Sequence, residues 1–216
     1  MNISEASKIL MNGIETDFEN HGFKPNKNNR EFKRVVGDAV QRFRLFFYKE
    51  GGQISIKPEV SIEIRPIEDI YRKVSSIKGR PYHTMGNHLF EILRYLDLGE
   101  EIGKGTTQDW AVQNKENIDY LIQVIPKYLE ESIIPYFDEN SSLSRVDELL
   151  NKYPRELSVH NYIYPLRANI AVIAAKLNKN PKYEELLSLY EEELEEAEET
   201  YKTEFYDIKE YLGTLD

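Results

Sequence analysis

Ile54-Ser55-Ile56-Lys57-Pro58-Glu59-Val60-Ser61-Ile62-Glu63-Ile64 is the stretch whose reading decides the fold. Apart from Pro58, aliphatic residues stand at every second position, with serine, lysine and glutamate between them. Strict period two puts the aliphatic side chains on one face of a strand and the polar ones on the other. A two-residue turn at Gly51-Gly52 sets Phe47 opposite Ile56, Phe43 opposite Val60 and Gln41 opposite Ile62. A second turn at Gly37-Asp38 sets Phe32 opposite Phe43 and Val36 opposite Ala39. Two turns inferred separately from glycine chemistry thus send nearly every apolar residue to the same face. The expectation is a twisted antiparallel meander from about Arg30 to Arg65, with one buried face and one wet face. Pro58 has no ladder donor, so it belongs at a bulge or with its nitrogen toward an unpaired edge.

Helical periods flank this sheet. Ile3, Ala6, Leu10, Ile14 and Phe18 form one stripe, with Asn2 and Glu5 as a capping box and Gly22 placed to end the helix. Pro66 suits a first helical turn, followed by Ile67, Ile70, Tyr71 and Val74. Ser75 to Met85 reads as a loop. Residues 87 to 98 fit either element, and the flanking glycines and short length favour a strand that widens the sheet. A turn follows over Gly99 to Thr107, then a short strand at Asp109-Trp110-Ala111-Val112. Ile118, Leu121, Ile122, Ile125, Leu129 and Ile133 make a helix that Pro126 should kink. Ser142 to Lys152 and Leu166 to Leu177 read as shorter helices with an irregular stretch between them. Lys182 to Leu212 reads as one helix of roughly 45 Å at ~1.5 Å per residue. Its narrow Leu/Tyr seam needs a partner surface, either Leu166 to Leu177 or a second copy.

Composition narrows the functional classes. The chain has 216 residues, 31% of them charged and 40% hydrophobic, enough to bury a sizeable core. It has no cysteine, which excludes disulfides, thiolate metal sites and a cysteine nucleophile. No apolar run approaches the roughly 18 residues of a membrane span, and no secretory signal is visible, so a cytoplasmic protein is expected. The net charge of −10 is unevenly placed: residues 181 to 216 hold thirteen acids and three lysines, and the rest balances. A nucleic-acid binder would instead show a basic stripe, so nucleic acid is not an expected partner.

His21-Gly22-Phe23-Lys24, the aromatic and alternating strands, Asp109-Trp110, Ile134-Pro135-Tyr136-Phe137 and Ser141-Ser142-Leu143 follow one another in a familiar order. Across roughly residues 10 to 150 the chain resembles the uncharacterised bacterial family described as domain of unknown function 4304. That pattern tends to carry a Trp pair where this chain has Trp110-Ala111. The resemblance implies a bacterial α+β domain with a C-terminal addition, and it supplies no catalytic residues.

Local constellations are weak. His83, His88 and Glu91 match no ligand spacing, so no metal and no cofactor are expected. Gly99 to Thr107 departs from a phosphate-binding loop in glycine spacing and in the residue after Lys104. Tyr82, Trp110, Tyr162 and Tyr164 are candidate pocket or interface aromatics. On the wet face, Lys33, Arg42, Arg44 and Lys57 interleave with Phe46 and Tyr48, a pattern that can bind a partner or single-stranded nucleic acid. The register also sets Arg44 between Glu31 and Glu59, which gives it an internal use. The acidic run with Glu192, Glu195 and Glu199 could meet a basic protein partner or remain a solvated face.

Taken together, the residues predict an α+β fold: an antiparallel meander flanked by helices over residues 1 to 140, and a helical C-terminal part over 141 to 216. Two functions are carried forward. One is a non-catalytic interaction module, immunity- or antitoxin-like, binding through Arg42, Arg44, Phe46 and Tyr48 or through Glu192, Glu195 and Glu199. The other is an enzyme or small-molecule binder with a site between the sheet and the C-terminal helices.

Overall fold

Positive φ at both Gly51 (57°) and Gly52 (85°), and at Gly37 (56°), lets the chain reverse where the glycines predict. Two consecutive positive values are the pattern of a type I′ turn, and one followed by Asp38 that of a II′ turn. In the computed structural model, which describes residues 1–76, 83–98 and 110–215, these turns join β2 (Glu31–Val36), β3 (Ala39–Glu50) and β4 (Gln53–Ile64). The pairs Phe32↔Phe43, Phe43↔Val60, Phe47↔Ile56 and Gln41↔Ile62 form in the expected register. A short β1 (Lys24–Asn26) extends the sheet beyond β2. On its other side, β4 pairs antiparallel with β5 (Met85–His88) through residues 59–62 and with β6 (Trp110–Val112) through residues 54–56. Pro58 falls in the gap between them. Counted from the two-residue turn, Leu45↔Pro58 is a non-hydrogen-bonded pair, so the proline nitrogen faces away from β3 into that gap.

The apolar face is packed by helices from before and after the meander. Helix α1 (Ile3–Asn20) is capped by Asn2, whose side chain accepts from the Glu5 amide at 2.9 Å. It lays Phe18 on Phe32 and Phe43, with ring centroids 4.2 and 5.0 Å apart. The chain then passes Gly22, and the Phe23 amide reaches back to the Phe18 carbonyl. Helix α4 (Lys115–Tyr128) packs against α1. Pro126 has no N–H to offer, and the ladder beyond it loosens into a π stretch, Leu129–Ile133, before α5 (Ile134–Asn140). The buried Gln41 on β3 anchors the end of α5, donating to Ser141 Oγ at 2.8 Å.

Two expectations are corrected. Residues 87–98 are not one strand: β5 ends at His88 and α3 (Leu89–Leu98) follows at once. Leu89 and Ile92 are fully buried at helical spacing, so the stripe of period 3.6 outweighs the glycine flanks. The C-terminal acidic segment is not one rod but α8 (Tyr183–Glu193) and α9 (Glu199–Gly213). Both pack on α7 (Tyr164–Leu177), whose 14 residues span only ~21 Å at 1.5 Å per residue. A 45 Å helix would run well past it, whereas the bend at Leu194 folds both arms of the seam onto the same surface. Leu187, Tyr190, Leu194, Phe205, Ile208 and Leu212 are buried there, so the seam's partner lies within the same chain.

Helix α2 (Arg65–Val74) links the two halves by packing on β4, α7 and α9. Between α2, α7 and α9, Asn169 Nδ2 donates to the fully buried Glu204 at 2.9 Å, and Tyr71 and Ser75 also bond that carboxylate. Helix α6 (Leu143–Asn151) completes the C-terminal packing. Its buried Asp147 accepts from Asn151, Asn178 and Asn180 at 2.7 to 3.0 Å, tying α6 to the turn after α7. Among the described residues no helix is long and apolar enough to cross a membrane. The turn read over Gly99 to Thr107, together with Tyr82 and Asp109, lies outside the described residues.

Candidate functional site

The polar sheet face is an ion-pair lattice. Arg44 bonds Glu31 at 2.9 Å and stands 3.9 Å from Glu59, the placement its register predicts. Glu63 is buried and held by Arg42 at 2.7 Å and by Arg72 of α2 at 2.6 Å. Burial alone would raise the Glu63 carboxyl, but the hydrogen bonds and charges of Arg72 and Arg42 outweigh it and hold it below the ordinary carboxylate value. Glu31 is lowered in the same way, with Arg44 overcoming its burial. For Glu59 burial wins over Arg44 and Arg42, and its carboxyl is raised. Phe46 lies half-buried beside the Arg44 guanidinium, and Tyr48, 47% exposed, carries the Lys57 ammonium 5.6 Å from its ring centre. Arg42 and Arg44 are thus engaged by neighbours, and Tyr48 is the exposed member of this set.

The acidic residues occupy a ridge on α8 and α9. Glu192, Glu195 and Glu199 are all exposed. Glu192 meets Arg155 at 2.9 Å, and Glu199 meets Lys202 at 3.1 Å. The sheet lattice connects through Arg72 to α2, and the ridge connects through Arg155 to residues 152–163. Among the described residues no hydrogen bond or ion pair joins the two sets of candidate residues. Trp110 and Tyr164 are packing aromatics: Trp110 sits edge-on to Phe90 and stacks near Tyr128, and Tyr164 lies beside Tyr190. Tyr162 is partly exposed and donates to Glu91 at 2.9 Å. Among the described residues no group of three or more His, Asp or Glu side chains could hold a metal ion.

A third constellation is assembled only by the fold. Residues 158–161 dock on the outer edge of β5: the Gly86 amide donates to the His160 carbonyl at 2.7 Å, and Asn87 Nδ2 to the Val159 carbonyl at 2.5 Å. This covers a strand edge and fixes His160. The imidazole is 3% exposed, stacked near Tyr136 and edge-on to Tyr95. Its Nδ1 lies 2.9 Å from the Tyr136 hydroxyl. Burial, aided by the Arg145 charge, pushes His160 down to about 4, so it is neutral at pH 7. Beside it, α7 carries Arg167, 1% exposed, whose guanidinium donates to the Glu156 and Pro154 carbonyls and lies 4.8 Å from the Tyr164 ring centre. Tyr95, Leu149, Tyr153, His160 and Arg167 line a cavity of about 30 Å³. That is room for about two waters or one small ion, far below the ~300 Å³ of a metabolite pocket. The available signal is Arg167 near the start of Leu166 to Leu177, a mostly apolar run whose other polar residues are Asn169 and Lys176.

No family model, no curated protein and no solved structure matches this chain.

Proposed function

We propose that this chain is a non-catalytic interaction module of the bacterial cytoplasm, immunity- or antitoxin-like, whose α8–α9 ridge receives a basic protein partner. The observation that carries the reading is charge segregation. Ten carboxylates between Glu184 and Glu210 are exposed, while the apolar seam of the same two helices is buried on α7. The ridge needs no solvent-facing apolar contact to hold its place, so its charge is displayed on a fixed scaffold. Such a field speeds encounter with a cation-rich surface and disfavours acidic competitors. Tyr48, with Phe46, Arg44 and Arg42 along the same face of β3, offers a second contact surface in the same reading. Kinship with domain of unknown function 4304 belongs to this proposal and is compatible with the α+β sheet.

The small-molecule alternative draws on the His160–Arg167 cavity, where a buried neutral imidazole and a buried guanidinium share one wall. Its size favours an ion or water over a metabolite.

Affinity capture from the source cell's lysate tests the proposal, comparing wild type with Glu192→Gln, Glu195→Gln and Glu199→Gln combined. The expected result is a basic protein retained by wild type and depleted about tenfold by the triple variant, at equal thermal stability. Equal retention by both would shift the reading to the sheet face, where Arg42→Ala with Tyr48→Ala is the matching comparison.

A further inference from the structure

Two residues that line the cavity, His160 and Arg167, each hold a buried nitrogen with no hydrogen-bond partner among the described residues, His160 Nε2 and Arg167 Nε. The first is a donor by elimination. Among the described residues the Tyr136 hydroxyl has one partner, His160 Nδ1, so a fully buried phenol must donate there to satisfy its proton. The ring proton of the neutral imidazole then sits on Nε2. Arg167 adds a permanent positive charge. Its guanidinium donates to the Glu156 and Pro154 carbonyls and lies beside the Tyr164 ring, and among the described residues it forms no ion pair with a carboxylate. Glu156 reaches the cavity wall, but its side chain is exposed and it is the backbone carbonyl that bonds Arg167. A buried cation with unmet donors beside a space of ionic size calls for an acceptor that also supplies negative charge.

We infer that this cavity, between α3, α6, α7 and residues 152–163, is a binding site for a small inorganic anion of halide size, held by His160 Nε2 and Arg167 Nε. The inference does not depend on the acidic ridge. The anion neutralises Arg167 and fastens residues 152–163, the segment that covers the β5 edge and carries Arg155 to the ridge.

Two measurements on the full chain decide it. Crystals of wild type held in 0.1 M bromide, about the concentration that would fill a millimolar site, should give an anomalous peak within hydrogen-bond reach of both nitrogens. In solution, the melting midpoint should stand about 6 °C higher in 0.1 M chloride than in gluconate of equal ionic strength, because only the smaller ion enters. Arg167→Met should lose that difference. Should Arg167→Met fail to fold, His160→Phe removes the other donor and serves the same comparison. Density fitting water alone in the cavity, or a midpoint that does not distinguish chloride from gluconate, overturns the site.

Discussion

Individual side chains set the pH behaviour of this protein. His160 is neutral and buried, so the folded state binds its proton less readily than the unfolded chain, where a histidine titrates near 6.5. Its stabilising contribution is complete above about pH 6.5 and is lost as pH falls toward about 4, amounting to about 3 kcal/mol over the window. Glu31 and Glu63 are lowered and contribute above about 4.5, with loss only as pH falls below that. Glu59 is raised, so its protonation works in the opposite sense just above 4.5. Stability measured by denaturation should therefore fall between pH 6.5 and 4.5, and His160→Gln should flatten that slope. A wild-type slope retained in the variant would place the titrating group elsewhere. Gly86 is a second residue-scale constraint. A Cβ there would stand 2.7 Å from Ser61 Cβ and 2.9 Å from the Val60 carbonyl oxygen, and backbone cannot yield as a side chain can. Gly86→Ala should cost about 1–3 kcal/mol, seen as a lower denaturation midpoint. The placement of Arg44 between two glutamates was legible because register alone decides it. His160 and Arg167 were not, because they meet through a segment that docks on β5 from more than 70 residues away.

At the scale of elements, the register of the meander was legible to the residue and the C-terminal helices only in outline. The face expected to be wet is partly covered, with Val40, Ser55, Ser61, Glu31 and Glu63 buried. Alternation and glycine turns are local signals, and they fixed β2, β3 and β4 before any long-range contact was considered. Strand β5 and helix α3 meet at His88–Leu89, so one window of sequence mixes two periods and blurs both. The bend at Leu194 is set by the length of α7, which the acidic segment's own pattern does not encode. Val60 is fully buried on the apolar face, and Val60→Asp should cost about 3–5 kcal/mol by burying an unpaired charge. Lys57→Ala should cost under ~1 kcal/mol, since it removes a half-buried surface contact with Tyr48. Equal shifts in denaturation midpoint would contradict the two-faced sheet. Leu194→Glu should destabilise the fold by a few kcal/mol, because Leu194 is 3% exposed at the bend. The triple Gln variant of the ridge should stay within about 0.5 kcal/mol of wild type, as exposed ion pairs contribute little.

On the scale of the whole molecule, one apolar cluster runs from Ala6 in α1 to Leu212 in α9. Helix α2 joins the halves, and the Tyr71–Glu204–Asn169 network lies at that joint. The residue pattern predicts a division of the chain near residue 140. A shared core predicts that residues 1–140 and 141–216 unfold together, as one transition followed by several probes. Separate transitions would show that the division is also a boundary of stability. The ridge of α8 and α9 is built on that core with its charge outward. Its recognition of a basic partner is the central claim, and association kinetics test it most directly. With the captured partner purified, the association rate is measured from low to moderate salt for wild type and for the Glu192→Gln, Glu195→Gln, Glu199→Gln variant. The account predicts a wild-type rate that falls at least about tenfold as salt screens the ridge, and a slower, flatter dependence in the variant. Identical rates and identical salt dependence in the two proteins would contradict it.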